Sequence, residues 1–193
     1  MRRVGWLLLA PALLAGCLFR NTAAPPRYFA PGSAAVEGEA DAPVVGGVPI
    51  QLRSVHGIDF LRENIVWRVS QVEYGQYRER LWSELPATYV QRALAAALHR
   101  TRGLRLTDDV HAPALRVEVV AFDEVLAPAH AATVSLAASL RGADGGLLLD
   151  GTFTADAPIA GDDPATMAEA MGRALDDVTT AVATAVAAAV HAH

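Results

Sequence analysis

Seven apolar residues in the last third of the chain set the strongest constraint on its fold. Met167, Met171, Leu175, Val178, Val182, Val186 and Val190 recur every three or four positions, which draws one continuous stripe along a helix. Glu169, Arg173, Asp176, Asp177 and Thr180 fall outside that stripe. Asp163-Pro164 supplies a capping side chain followed by a first-turn proline, so the helix is expected from there to about Val190. A helix this long with one apolar side must be covered. Its last two turns are almost all Ala and Val, but Ala is only weakly hydrophobic and the first half is charged, which favours packing on a sheet or a neighbouring subunit over insertion into a membrane.

The preceding segment supplies that sheet. Arg27-Tyr28-Phe29 reads as a first edge strand closed by Pro31-Gly32, a turn pair, and residues 33–47 as a loop or mobile insertion rich in Ala, Gly and Glu. Strands are expected over Val48–Val55 and Ile65–Tyr74; in the second, Ile65, Trp67 and Val69 share one face, the period of a half-buried strand. Trp82 to Pro86 opens a first helix in which Val90, Leu94, Ala97 and Leu98 recur at helical spacing and Gly103 is a C-terminal stop. Three more strands follow over 114–122, 132–141 and 147–155, the last two joined by Gly142-Ala143-Asp144-Gly145-Gly146. Short turns between consecutive strands imply an antiparallel meander. The expected fold class is therefore α+β: a mainly antiparallel sheet against two main helices, in a single domain over 27–193. No repeat of 20–50 residues is visible.

The first residues carry an address. Met1-Arg2-Arg3 is a short positive region, and the apolar stretch Val4–Leu14, broken by Gly5 and Pro11, has about the length of the hydrophobic region of a secretory signal, well short of the ~20 residues that span a bilayer. It ends in Leu14-Ala15-Gly16-Cys17, which resembles the bacterial lipobox. In that motif small residues admit the backbone to a membrane-embedded peptidase, and the Cys17 thiol takes a diacylglyceryl group, after which the new amino group is acylated. Two or three chains anchor stably where one does not. Cys17 is the single cysteine of the chain, which excludes an intrachain disulfide. Loss of the signal peptide 1–16 leaves 177 residues with 14 basic against 21 acidic side chains, a net charge of −7. Residues 17–26, ending in Pro25-Pro26, then form a short lipidated tether. No Asp follows Cys17, so by resemblance to lipoprotein sorting rules the outer membrane is the expected destination.

Chemistry is harder to find. Every one of the 16 basic residues is Arg, and the full chain carries a net charge of −5, without the basic footprint of a nucleic-acid binder. The six histidines form no His-Glu-x-x-His pair, and His191 and His193 flank one alanine near the C-terminus, a weak basis for a metal site. His56 with Asp59, and Asp108 with Asp109, offer acid–base groups, but both pairs sit where Asp and Gly favour turns for backbone reasons. No nucleophile elbow, P-loop or dinucleotide fingerprint is present. No catalytic residues, no metal and no cofactor are expected beyond the covalent diacylglycerol and N-acyl chain on Cys17.

The run Asn64-Ile65-Val66-Trp67-Arg68, then Tyr74, Tyr77 and Arg80-Leu81-Trp82, then Leu85-Pro86 and a helix, resembles the auxiliary lipoprotein component of ABC-type transporters, the family that includes the paraquat-inducible operon lipoprotein. The lipobox, the Arg27–Phe29 strand and the C-terminal helix extend the likeness over most of the mature chain. The resemblance implies a non-catalytic outer-membrane lipoprotein that partners a periplasmic mammalian-cell-entry (MCE) domain protein, a permease and an ATPase. Such systems move phospholipid or other hydrophobic molecules and support envelope integrity. A ring of like subunits is a further expectation. Tyr74, Tyr77 and Trp82 are the candidate docking aromatics, since aromatic rings with a polar handle are enriched at interfaces. A lipoprotein that activates a peptidoglycan enzyme or assists outer-membrane assembly is the competing reading. An envelope hydrolase using His56 and Asp59 is a third.

Overall fold

The computed structural model describes residues 25–32 and 46–192. The lipobox Leu14-Ala15-Gly16-Cys17, the first part of the tether, the insertion up to residue 45 and His193 lie outside the described residues.

The sheet divides at its central strand. Along one edge β6 (Ala114–Val125) pairs over its whole length with β7 (Ala131–Arg141), which in turn pairs with β8 (Leu147–Pro158). These three strands are the expected antiparallel meander. Along its other edge β6 takes two partners: β2 (Val48–Gly57) against its first half and β3 (Asn64–Arg68) against its second. The β6–β7 register shifts between Val119 and Ala121, near this division. One wing then continues from β2 to β5 (Leu104–Leu106), the other from β3 to β4 (Tyr74–Trp82) and β1 (Arg27–Phe29).

Four of these pairings, β1–β4, β2–β5, β2–β6 and β3–β6, are parallel, so the sheet is mixed and not mainly antiparallel as expected. The reason is topological. Tight turns impose antiparallel pairing only on strands they join directly, whereas β2 meets β6 after the chain has passed through β3, β4, a helix and β5. The strand expected over Ile65–Tyr74 is two elements with a turn between them. Ser70 Oγ accepts from the amides of Val72 and Glu73, which bends the chain there. Both Ile65 and Val66 are buried, so β3 is covered on both faces and its apparent alternation does not describe its burial.

α1 (Pro86–Arg100) and α2 (Pro164–His191) cover one face. Pro86 begins α1 as expected, while Trp82 belongs to the end of β4 and not to the helix. Val90, Leu94 and Leu98 of α1 are buried against β2, β5 and β6. Six members of the long stripe, Met167 to Val186, are buried, with α2 lying on β7, β8 and α1. Asp163 caps α2, its Oδ1 accepting from Ala165 N at 3.0 Å. From the sheet, Leu115, Val117, Val119, Phe122, Val134, Leu136, Ala138 and Leu140 complete the core. No described helix is long and apolar enough to cross a membrane.

Candidate functional site

The three aromatic candidates have different fates. Trp82 is 1% exposed, with its ring edge-on to Phe122 at 5.2 Å and to Tyr89 at 6.3 Å. It is a core residue beneath α1, and no partner can reach it. Its position explains this: β4 delivers Trp82 onto the helix-covered face just before the chain turns into α1.

Tyr74 is 48% exposed and opens β4 at the opposite end. Its ring meets Phe60 at 5.1 Å and 88°, an edge-to-face pair, and the Arg68 guanidinium lies 5.1 Å from the ring centre. The β3–β4 turn presents Val72, 89% exposed, and Leu126 is exposed just beyond β6, its amide donating to Arg68 O at 2.7 Å. Three segments distant in sequence thus assemble an apolar rim at one end of the sheet. Under it is a cavity of about 280 Å³ between Phe60, Leu61, Val66 and Tyr74, floored by Arg68 and Asp123.

That floor is an ion pair. Asp123 is 2% exposed; its Oδ2 accepts from Arg68 Nε at 2.9 Å and lies 2.8 Å from Arg68 Nη2, while Oδ1 accepts from Phe122 N at 3.2 Å. A buried carboxylate requires such partners. They hold Arg68 in place beneath the Tyr74 ring.

Tyr77 belongs to a second network. The adjacent residue Glu124, 3% exposed, contacts His130 Nε2 at 2.8 Å through Oε1 and Arg80 Nη1 at 3.5 Å through Oε2. Arg80 in turn stacks 4.2 Å from the Tyr77 ring centre. Burial foremost, then the neighbouring Glu124 carboxylate, pushes the Tyr77 hydroxyl up to about 12 against the opposing pull of Arg80.

The acid–base candidates are not brought into one site. His56 Nε2 contacts Ser54 Oγ at 2.9 Å, whereas Asp59 lies 3.8 Å from Arg62. Asp109 Oδ1 accepts from His111 N at 2.9 Å, a turn role. Among the described residues no group of three or more His, Cys, Asp or Glu side chains could hold a metal ion. Sequence reasoning missed Phe60, Val72 and Leu126, which carry no pattern until three loops meet. It also missed Asp123 and Glu124, which lie within β6 just beyond the expected end of that strand at residue 122 and whose partners, Arg68, Arg80 and His130, come from elsewhere.

The sequence profile of the ABC-type transport auxiliary lipoprotein component family matches residues 33–183, and the chain belongs to that family. It is therefore an accessory component associated with an ABC transport system of the cell envelope. Protein XCC0632 from Xanthomonas campestris has a similar structure, with a TM-score of 0.71 at 20% identity over 86% of this chain and 97% of that one. An uncharacterized protein aligns at a TM-score of 0.66 and 16% identity, over 84% of this chain and 99% of that one. At these identities the likeness speaks for the fold alone. No curated protein matches the chain significantly.

Proposed function

We propose that the chain is a non-catalytic outer-membrane lipoprotein, acylated at Cys17, that acts as the accessory subunit of an MCE-type ABC system moving phospholipid or other hydrophobic molecules across the periplasm. One observation supports a docking role most directly: at one end of the sheet the Phe60–Tyr74 aromatic pair lines a cavity, and Val72 and Leu126 are exposed on adjoining segments. Exposed apolar clusters of this kind mark interaction sites, and Tyr74 is the aromatic anchor there. The assignment of the partner rests on family membership.

A photocrosslinking residue at Val72, in cells, tests the docking. The expected adduct is the MCE-domain protein. An adduct to a peptidoglycan enzyme would instead select the regulatory reading, and no adduct at Val72 or Tyr74 would remove the rim as a docking surface. The anchor is tested separately. Cys17→Ala should leave an uncleaved precursor held at the inner membrane, and normal outer-membrane fractionation of that variant would refute acylation at Cys17. The reading includes a ring of like subunits, and light scattering of the detergent-solubilised protein that found a monomer would discard it.

A further inference from the structure

A second cavity, of about 440 Å³, opens where the tether joins the domain. It is lined by Pro25, Arg27, Tyr77, Arg78, Arg80 and Pro164, together with Glu79. Its volume is within the ~300–1,000 Å³ of small-molecule sites. Three guanidinium groups in one cleft stand out on a chain whose net charge is −5. On the open sheet face, by contrast, a cleft of about 480 Å³ sets Arg53 and Arg116 against Glu118 and Asp150, so its charges balance.

Arg80 is fixed from behind by Glu124 at 3.5 Å and from the side by the Tyr77 ring at 4.2 Å. Arg27 lies over the Phe29 ring at 5.2 Å, and among the described residues no ion pair engages Arg27 or Arg78. Pro164, on the cavity wall, is the first residue of α2, whose N-terminus is already capped by the Asp163 carboxylate, so the positive character of the cleft comes from the arginines. Arg matches phosphate oxygens with paired N–H groups, where Lys offers a point charge.

Position selects the kind of anion. Pro25 is eight residues beyond Cys17, so a fully extended tether keeps the cleft within roughly 28 Å of the acyl chains. We infer that this cleft binds the phosphodiester of an anionic phospholipid headgroup, with Arg27, Arg78 and Arg80 as the phosphate contacts, and so orients the domain on the membrane that carries its anchor. The choice of a lipid over a free phosphate rests on the proposed acylation of Cys17.

The test is ³¹P NMR titration of the full chain in nonionic detergent with dihexanoyl-phosphatidylglycerol, dihexanoyl-phosphatidylcholine and inorganic phosphate. Phosphatidylglycerol is expected to bind at least tenfold more tightly than the other two. Its dissociation constant should rise at least tenfold in the Arg27→Gln, Arg78→Gln double variant, whose side chains are exposed, and stay unchanged in Arg53→Gln. Equal binding of phosphatidylglycerol by the double variant, or inorganic phosphate binding as tightly as the lipid, would overturn the inference. Soluble short-chain lipid needs no anchor, so Cys17→Ala separates the two ideas: unchanged phosphatidylglycerol affinity in that variant supports the cleft whatever its fractionation shows, and lost affinity counts against it.

Discussion

Gly172 in α2 faces the backbone of Gly32, so closely that a Cβ on residue 172 would overlap the Gly32 carbonyl group. Gly32 N also donates to Ala168 O at 3.2 Å, one helical turn earlier. The segment that follows β1 is thereby clamped onto α2, which ties the start of the domain to its last element. In an unobstructed helix interior Gly→Ala would gain about 1 kcal/mol. Here the sign should reverse: Gly172→Ala is expected to lose about 1–3 kcal/mol in urea denaturation, since backbone must move to admit the methyl group.

Trp82 and Tyr74 separate packing from docking. Trp82→Ala removes a fully buried ring and should cost about 3–5 kcal/mol of stability. Tyr74→Ala, at the exposed rim, should stay within about 1 kcal/mol of wild type and yet lose most of the crosslinking at Val72. A stable Trp82→Ala protein, or crosslinking unaffected by Tyr74→Ala, would contradict this division.

Arg68 and Asp123 form the floor under the rim. Arg68→Ala leaves the Asp123 carboxylate buried without its cation, and the expected loss is about 3 kcal/mol. Replacing both, as in Arg68→Met with Asp123→Leu, should recover much of that loss because no charge is then stranded. A double-mutant cycle read by denaturant unfolding measures the coupling.

Tyr77 predicts an alkaline effect. Its hydroxyl is pushed above the ordinary value of 10.0, to about 12, so the fold favours the neutral phenol. Between those two values the unfolded chain has released the proton and the folded chain still holds it, so stability falls as pH rises. The contribution is fully present below pH 10 and lost as pH passes 12. Tyrosinate absorbance should show a component titrating near 12 that Tyr77→Phe removes and Glu124→Gln shifts downward.

Asp163 gives a simpler local test. Its side chain accepts from Ala165 N, and Asp163→Ala should lose about 1 kcal/mol in thermal or urea unfolding, while Asp163→Asn loses much less.

What was legible in the sequence was what local periodicity controls. The Met167–Val186 stripe, the Asp163-Pro164 start, the alternation of Leu115, Val117 and Val119, and the β7–β8 hairpin all appear as read, because each depends on residues within a few positions of one another. The family resemblance, carried by the order of these elements, also held. The parallel pairings, the division of the sheet at β6 and the short strand β5 could not be read this way, since they depend on which distant strand arrives alongside. The same reason explains the site. Trp82 and Tyr74 are similar interface candidates in one dimension, but burial under α1 makes one core and the meeting of three loops makes the other surface. Asp123 and Glu124 would be costly to bury in isolation; only the tertiary structure brings Arg68, Arg80 and His130 to them, because charge compensation acts through space and not along the chain.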